Sequence, residues 1–206
     1  MALTTYSGLK TSIAAWLKRS DLTAIIPDFV SLAEARIARD LRLRKQITSA
    51  SLPTTAGSNT LTLPSNFLEA ENVSLGTSPQ TQLTYVNIEH LDSQYPYGQN
   101  NGAPVVYTFE GDNILLGPTP DAVYTVSLMY YARLTALAND TDTNWLLTNH
   151  PSIYLYAALA EAQPYIMADD RVALWEQKYQ KDMNDLQASD DGGMFSGTAL
   201  RVRQIS

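Results

Sequence analysis

Cysteine is absent from this chain of 206 residues, which excludes disulfides and thiolate metal sites. That absence does not fix a compartment, although it suits assembly in the cytosol. Long apolar runs are missing too. None approaches the roughly 18 residues that a membrane span needs. Met1 to Thr11 lacks the charged stretch followed by an apolar run that marks a secretory signal. Histidine is confined to His90 and His150. Lysine and arginine are missing altogether from residues 46–132, a run that holds seven Asp/Glu. By contrast, residues 1–50 hold eight Lys/Arg against four Asp/Glu, and residues 133–206 hold six against ten. The net charge of −7 is therefore sorted along the chain. Two accounts fit: charge-sorted surfaces, or a β region rich in Thr, Ser and Asn that uses few charges.

What is present describes a folded chain. Hydrophobic residues at 45% and charged residues at 17% are globular values. The length suits one sizeable domain or two small ones, and such a chain buries about 70% of its unfolded surface without a staple. Thr4 or Thr5 is placed to cap a helix running to about Lys18, with Tyr6, Leu9, Ile13, Trp16 and Leu17 on one face. Pro27 sits where a second helix starts. Its apolar stripe is Ile26, Phe29 or Val30, Ala33, Ile37 and Leu41, with Arg36, Arg39, Arg42 and Arg44 toward its C-terminal end.

From Ile47 the period changes to two. Ile47–Pro53 and Asn59–Pro64 are expected to form a hairpin. Glu71–Leu75 and Gln82–Val86 resemble strands, and Asn87 caps a short helix. Val105–Glu110 and Asn113–Leu116 flank Gly111-Asp112, a hairpin signal. Val123–Tyr131 carries few charges on either face, which predicts a central strand. Pro151 opens a helix to about Met167. Asp169 or Asp170 caps a last one with Val172, Trp175, Tyr179, Met183 and Leu186 on one face, and Asp190-Asp191-Gly192-Gly193 is expected to end it.

Strands segregated from helices predict an α+β fold. The helices of residues 1–46 and 144–190 are expected to form one bundle. Residues 47–143 form an inserted, mainly antiparallel β region, and 191–206 an extended C-terminal arm.

Catalytic patterns fail in turn. Asp140-x-Asp142-x-Asn144 starts like a Ca²⁺ loop, but the sixth position is Trp145 and the twelfth Pro151, so a capped polar turn fits better. Neither histidine has a second ligand at helical spacing. Phosphate-binding glycine loops and a Gly-x-Ser-x-Gly elbow are absent. The sequence therefore points to no enzyme, no metal site and no cofactor. The cluster Arg36/Arg39/Arg42/Arg44, with Lys45, is the best nucleic-acid candidate, but sequence-specific reading wants more base and a recognition-helix context, which leaves two better accounts. One is a solvated helix end pairing with Glu34 and Asp40. The other is contact with a neighbouring subunit or an acidic partner. In the apolar and basic tail, Phe195, Leu200, Arg201, Val202 and Arg203 are candidate anchors for docking.

Several segments together resemble one family. These are TTYSGLKTSIAAWLKRSDLTAIIPDFVSLAEARIARDLRLR at the start, YTFEGDNILLGPTPD after Pro104, then YYARLTALAND and TNWLLTNHPSIYLYAALAEAQPY. In combination and order they are similar to tailed-bacteriophage head-to-tail adaptor (connector) proteins, over almost the whole chain. The resemblance implies a structural virion protein, made in the host cytoplasm and placed in the neck between head and tail. It implies a ring of about twelve subunits that joins the portal protein to the tail or tail-nozzle protein, with DNA passing through the lumen and no membrane involved. The tail anchors would then dock on the portal. A lumen without lysines suits that role, because lysines would hold phosphates. The alternative is a tail-associated receptor- or carbohydrate-binding β module, motivated by Tyr95-Pro96-Tyr97 and the Tyr-rich strands.

Overall fold

The computed structural model describes residues 3–19, 21–77, 79–97, 101–166 and 171–195. The chain divides into two compact units: residues up to Leu43 together with those from Leu134 onward, and Arg44–Arg133.

The first unit is helical. Helix α1 (Tyr6–Leu17) starts at Thr5, whose hydroxyl accepts the Gly8 N–H at 3.2 Å, and it buries Tyr6, Leu9, Ile13 and Leu17. Trp16, at the edge of the same stripe, stays 44% exposed. Helix α2 (Ile26–Asp40) opens with Pro27 in its first turn and buries Ile26, Phe29, Val30, Ala33 and Ile37, so both open alternatives of the stripe point inward. Helix α5 (Pro151–Glu161) buries Ile153, Tyr154, Leu155, Ala157, Ala158, Leu159 and Ala160. Helix α7 (Arg171–Phe195) adds Trp175, Tyr179 and Met183 to the same hydrophobic core. The N- and C-terminal helices thus form the bundle that the element order predicts.

The second unit is a pair of four-stranded sheets around one core. It holds β1 (Ile47–Pro53), β2 (Thr60–Thr62), β3 (Phe67–Leu75), β4 (Thr81–Gln82), β5 (Thr84–Tyr85), β6 (Val106–Glu110), β7 (Asn113–Gly117) and β8 (Thr125–Ala132). Helix α3 (Ile88–Gln94) lies between β5 and β6 in sequence, and Asn87 caps it by accepting the His90 N–H. The sheet orders are β1-β8-β3-β4 and β2-β7-β6-β5, antiparallel except for the β5/β6 pair. Strand β8 is central, as its composition predicts. It turns Val126, Leu128 and Tyr130 into the core between the sheets. Gly111 takes φ +56° in the β6–β7 turn, the left-handed region that its missing Cβ allows. The fold is α+β with mainly antiparallel sheets.

Besides dividing Gln82–Val86 between β4 and β5, which lie in different sheets, the structure departs from expectation in four places. First, β1 and β2 do not form a hairpin: β1 pairs with β8, from Ile47↔Tyr131 to Pro53↔Thr125, and β2 pairs with β7. Alternation specifies which face is buried but not which strand lies alongside, and each segment took a different sheet. Second, the helix from Pro151 stops at Glu161, and a short α6 (Gln163–Ile166) follows. Pro164 lacks the N–H that Ala160 would accept, and its ring crowds that carbonyl; Met167 lies outside the described residues. Third, a one-turn α4 (Trp145–Asn149), capped by Asn144, precedes α5. Fourth, α7 runs through Gly192-Gly193 to Phe195. A glycine in a helix costs only about 1 kcal/mol, too little to force an end. Asp169 and Asp170, the expected caps of this helix, lie outside the described residues.

Gly117 closes β7 beneath a ring. A Cβ there would stand 2.9 Å from Tyr95 Cδ2 and 3.0 Å from Val106 Cγ2. Gly117→Ala should therefore lower stability by about 1–3 kcal/mol, the usual cost of overpacking. Urea denaturation of the purified protein measures it, and an unchanged midpoint would show that the ring moves aside freely.

Candidate functional site

With no catalytic constellation in the sequence, the candidate sites are its charged clusters. Arg36, on α2, is the centre of one. Its guanidinium pairs with Glu176 of α7 and lies 3.6 Å from Glu161 of α5 and 3.8 Å from Asp40 one turn on. It also stacks on the Tyr179 ring, 4.3 Å from the centroid, and the Tyr179 hydroxyl donates to Asp40 at 2.7 Å. One cation thereby fastens three helices. The hydrogen bond from Arg36 holds the Glu176 carboxyl below the usual carboxylate range, while burial, followed by the bond to Asp40, raises the Tyr179 hydroxyl. The other arginines are placed differently. Arg39 is exposed in the last turn of α2. Arg42 donates to the carbonyls of Ala38 and Leu41 at 2.8 and 2.7 Å, satisfying the end of that helix. Arg44 is exposed in a 3-10 turn (Arg44–Gln46) of the other unit. Glu161, Glu176 and Tyr179 carry no local signal of this convergence. Of the two acids expected to pair with the cluster, Asp40 does so with Arg36, whereas Glu34 accepts the Leu137 N–H instead.

A second polar network lies where the chain returns to the helical unit. Glu34 accepts the Leu137 N–H at 2.9 Å and a bond from the Tyr154 hydroxyl. Asn144 Nδ2 donates to that hydroxyl at 2.7 Å and to the Thr135 carbonyl at 3.0 Å, while Asn144 Oδ1 accepts the Leu147 N–H. Burial pushes the Glu34 carboxyl up, against the lowering effect of those two donors. The Ca²⁺-like segment is a turn. Asp142 accepts from the Ala138 and Asn139 N–H groups, and Asp140 meets Lys10 at 2.6 Å. No group of three or more His, Asp or Glu able to hold a metal ion occurs among the described residues.

The β unit presents the opposite electrostatics. Its seven carboxylates, Glu69, Glu71, Glu89, Asp92, Glu110, Asp112 and Asp121, are all exposed. Of the aromatic loop, the Tyr95 ring covers Gly117, and Tyr97, although 68% exposed, donates its hydroxyl to the Gly57 carbonyl at 3.3 Å. His90 is exposed on α3, and His150 stands half-buried between α4 and α5. Among the tail anchors, Leu200, Arg201, Val202 and Arg203 lie outside the described residues, and Phe195 is the last residue of α7. No helix among the described residues is long and apolar enough to cross a membrane.

The structure is a helical bundle interrupted by a β insertion, and its Arg36 and Glu34 clusters are held in contacts within the helical unit. The chain belongs to the SU10 adaptor protein family, which it matches over residues 4–203. It is thus a structural bacteriophage adaptor of the virion neck that contacts other head and tail components, a class that is not enzymatic. No curated protein matches the chain.

Arg36→Ala leaves three neighbouring carboxylates without their cation and should cost about 2–4 kcal/mol, below the full buried value because the acids are partly solvated. Arg39→Ala should stay within about 0.5 kcal/mol. The pH dependence has a defined sign. A carboxyl held low in the folded state contributes stability above its unfolded pKa, and that contribution is lost as pH falls through the folded value. The stability gap between wild type and Arg36→Ala should therefore narrow as urea titrations move from neutral pH toward acid. Asn144→Ala removes a helix cap and a partner of a buried hydroxyl, for a loss of about 2 kcal/mol by the same measurement.

Proposed function

We propose that the protein forms the head-to-tail adaptor ring that joins the portal to the tail, about twelve copies around the DNA channel. The observation that carries this reading is the charge of the β unit. From residue 46 to residue 132 it has no Lys or Arg, and its seven carboxylates all face solvent. A protein that neutralises phosphates binds DNA through released counterions. A stretch with exposed carboxylates and no Lys or Arg repels phosphate and lets duplex pass, and the unit's cations, Arg44, Lys45 and Arg133, stand only at its two chain ends. Family membership supplies the adaptor role; the anionic β surface supports its use along a DNA path.

Attachment then falls to other parts of the chain. The tail beyond Phe195 has Leu200 and Val202 as apolar anchors and Arg201 and Arg203 as cations, the composition of an arm that docks in a partner's groove. Arg39 and Arg44, exposed on their respective units, are placed to meet acidic surfaces of a neighbouring subunit or partner. Arg36 and Arg42 contribute by shaping the end of α2.

Electron microscopy of the purified protein mixed with its portal tests this directly. The expected result is an annular density coaxial with the portal ring, lost when residues 196–206 are deleted. A folded sample that leaves the portal bare would overturn the adaptor-ring reading. Unchanged binding by the truncated chain would overturn the tail assignment alone.

A further inference from the structure

An open groove lies where the start of α5 passes the C-terminal half of α7. It has a volume of about 280 Å³, with His150 and Ile153 on one side and Asp182, Asp185, Leu186 and Ser189 on the other. The four α7 residues fall at i, i+3, i+4 and i+7, so they form one stripe along the helix. Ile153 is buried and Leu186 half-buried, which makes the floor apolar. Asp182 is half-buried and Asp185 exposed, and neither forms an ion pair among the described residues. Lys178 and Lys181 stand four residues before them on the same helix without closing that gap. The groove therefore pairs an apolar floor with two carboxylates whose charge no described side chain matches.

We propose that this groove holds the chain's own C-terminal segment, Ala199–Gln204, in the free subunit. Charge selects that occupant first. Residues 196–206 contain two arginines and no acid, in a chain whose net charge is −7. Composition fits next: Leu200 and Val202 supply apolar side chains for the floor, and Arg201 and Arg203 supply two long guanidinium side chains for the carboxylates beside it. In an extended segment the two arginines are about 7 Å apart, against about 5–6 Å between the Cβ atoms of Asp182 and Asp185. Arginine is long enough to absorb the difference.

Reach is sufficient as well. Phe195 ends α7 thirteen residues beyond Asp182, about 20 Å along the helix axis. Eight residues, the length of 196–203, span up to about 27 Å when extended. Seated there, the tail is withheld from other surfaces, so a portal that docks it must displace it from Asp182 and Asp185. That consequence rests on the adaptor reading, whereas the contact within the subunit does not.

A spin label tests the contact in the full-length chain. The absence of native cysteine lets Ser206→Cys carry one nitroxide. Amides near the end of α7 lie close to the label in any arrangement, so the informative signals are those of His150, Ser152, Ile153 and residue 182. They are expected to lose intensity relative to the reduced label. That loss should reverse in D182N/D185N. It should also reverse when salt is raised to 1 M, where the screening length falls from about 10 Å to about 3 Å. Unchanged amide positions elsewhere in D182N/D185N confirm that the fold is kept. Full intensity at His150, Ser152 and Ile153 in the parent chain, or a loss that persists in D182N/D185N, would overturn the proposal. So would a loss seen only on unlabelled chains mixed with labelled ones, which would place the tail in another copy. No portal is present, so failure here leaves the portal-binding experiment untouched.

Discussion

Helix α5 has almost no surface of its own, and the helical unit depends on that burial. From Ile153 to Ala160 only Tyr156 escapes the fully buried class, and its ring meets Trp16 of α1 edge-on at 6.0 Å. Helices α2, α7 and α1 pack around it. Alanines at 157, 158 and 160 let those helices approach closely, while Tyr154 and Leu159 fill the space between them. Each buried aliphatic side chain contributes roughly 1.5–3 kcal/mol. That burial is available only when residues before Leu43 and after Leu134 come together. The β unit is thus a long insertion whose two ends the bundle holds.

Polar contacts choose the arrangement that burial favours. Leu, Ile and Ala stripes tolerate more than one rotation of a helix, whereas a guanidinium among Glu161, Glu176 and Asp40 does not. Arg36 is therefore better understood as the fastening of the bundle than as a surface charge. The Glu34–Tyr154–Asn144 network does comparable work at the re-entry of the chain, where backbone N–H groups leaving the sheet need acceptors. Chemistry that looks reactive in isolation, such as a half-buried glutamate beside a tyrosine, is here a set of satisfied hydrogen bonds. Between residues 46 and 132 the exposed charges are carboxylates alone, whereas the helical unit and the two ends of the β unit also carry cations.

How much of this was legible in the sequence depended on range. Thr5 and Asn87 were recognisable as caps, because a cap is a bond between residues three apart. The stripes of α1, α2 and α7 were legible for the same reason. The Gly111-Asp112 turn and the central place of β8 also followed from local pattern. The pairing of β1 and β2 did not, because their partners β8 and β7 lie 50 or more residues away. Nor did the end of α7, where two glycines carry a weak local preference that the rest of the helix outweighs. For the candidate site the division is similar. The lack of cations in 46–132 was plain, and so was the cluster around Arg36, but that cluster resolved into a fastener, a helix-end donor and two exposed side chains.

The sequence by itself determined where the long helices and the central strands lie, though not all of their ends, which face of each is apolar, and that no catalytic set is written in local motifs. Those properties follow from spacing of a few residues, where 3.6- and 2-residue periods and capping side chains act. Tertiary structure alone decided which strands pair, that Arg36 gathers Glu161 and Glu176 from far along the chain, and that all seven carboxylates of the β unit face water. The reason is physical. Sheet partners and ion pairs are set by burial and by the energetic cost of leaving charges or backbone groups unmatched. That cost is defined only once distant segments share one core.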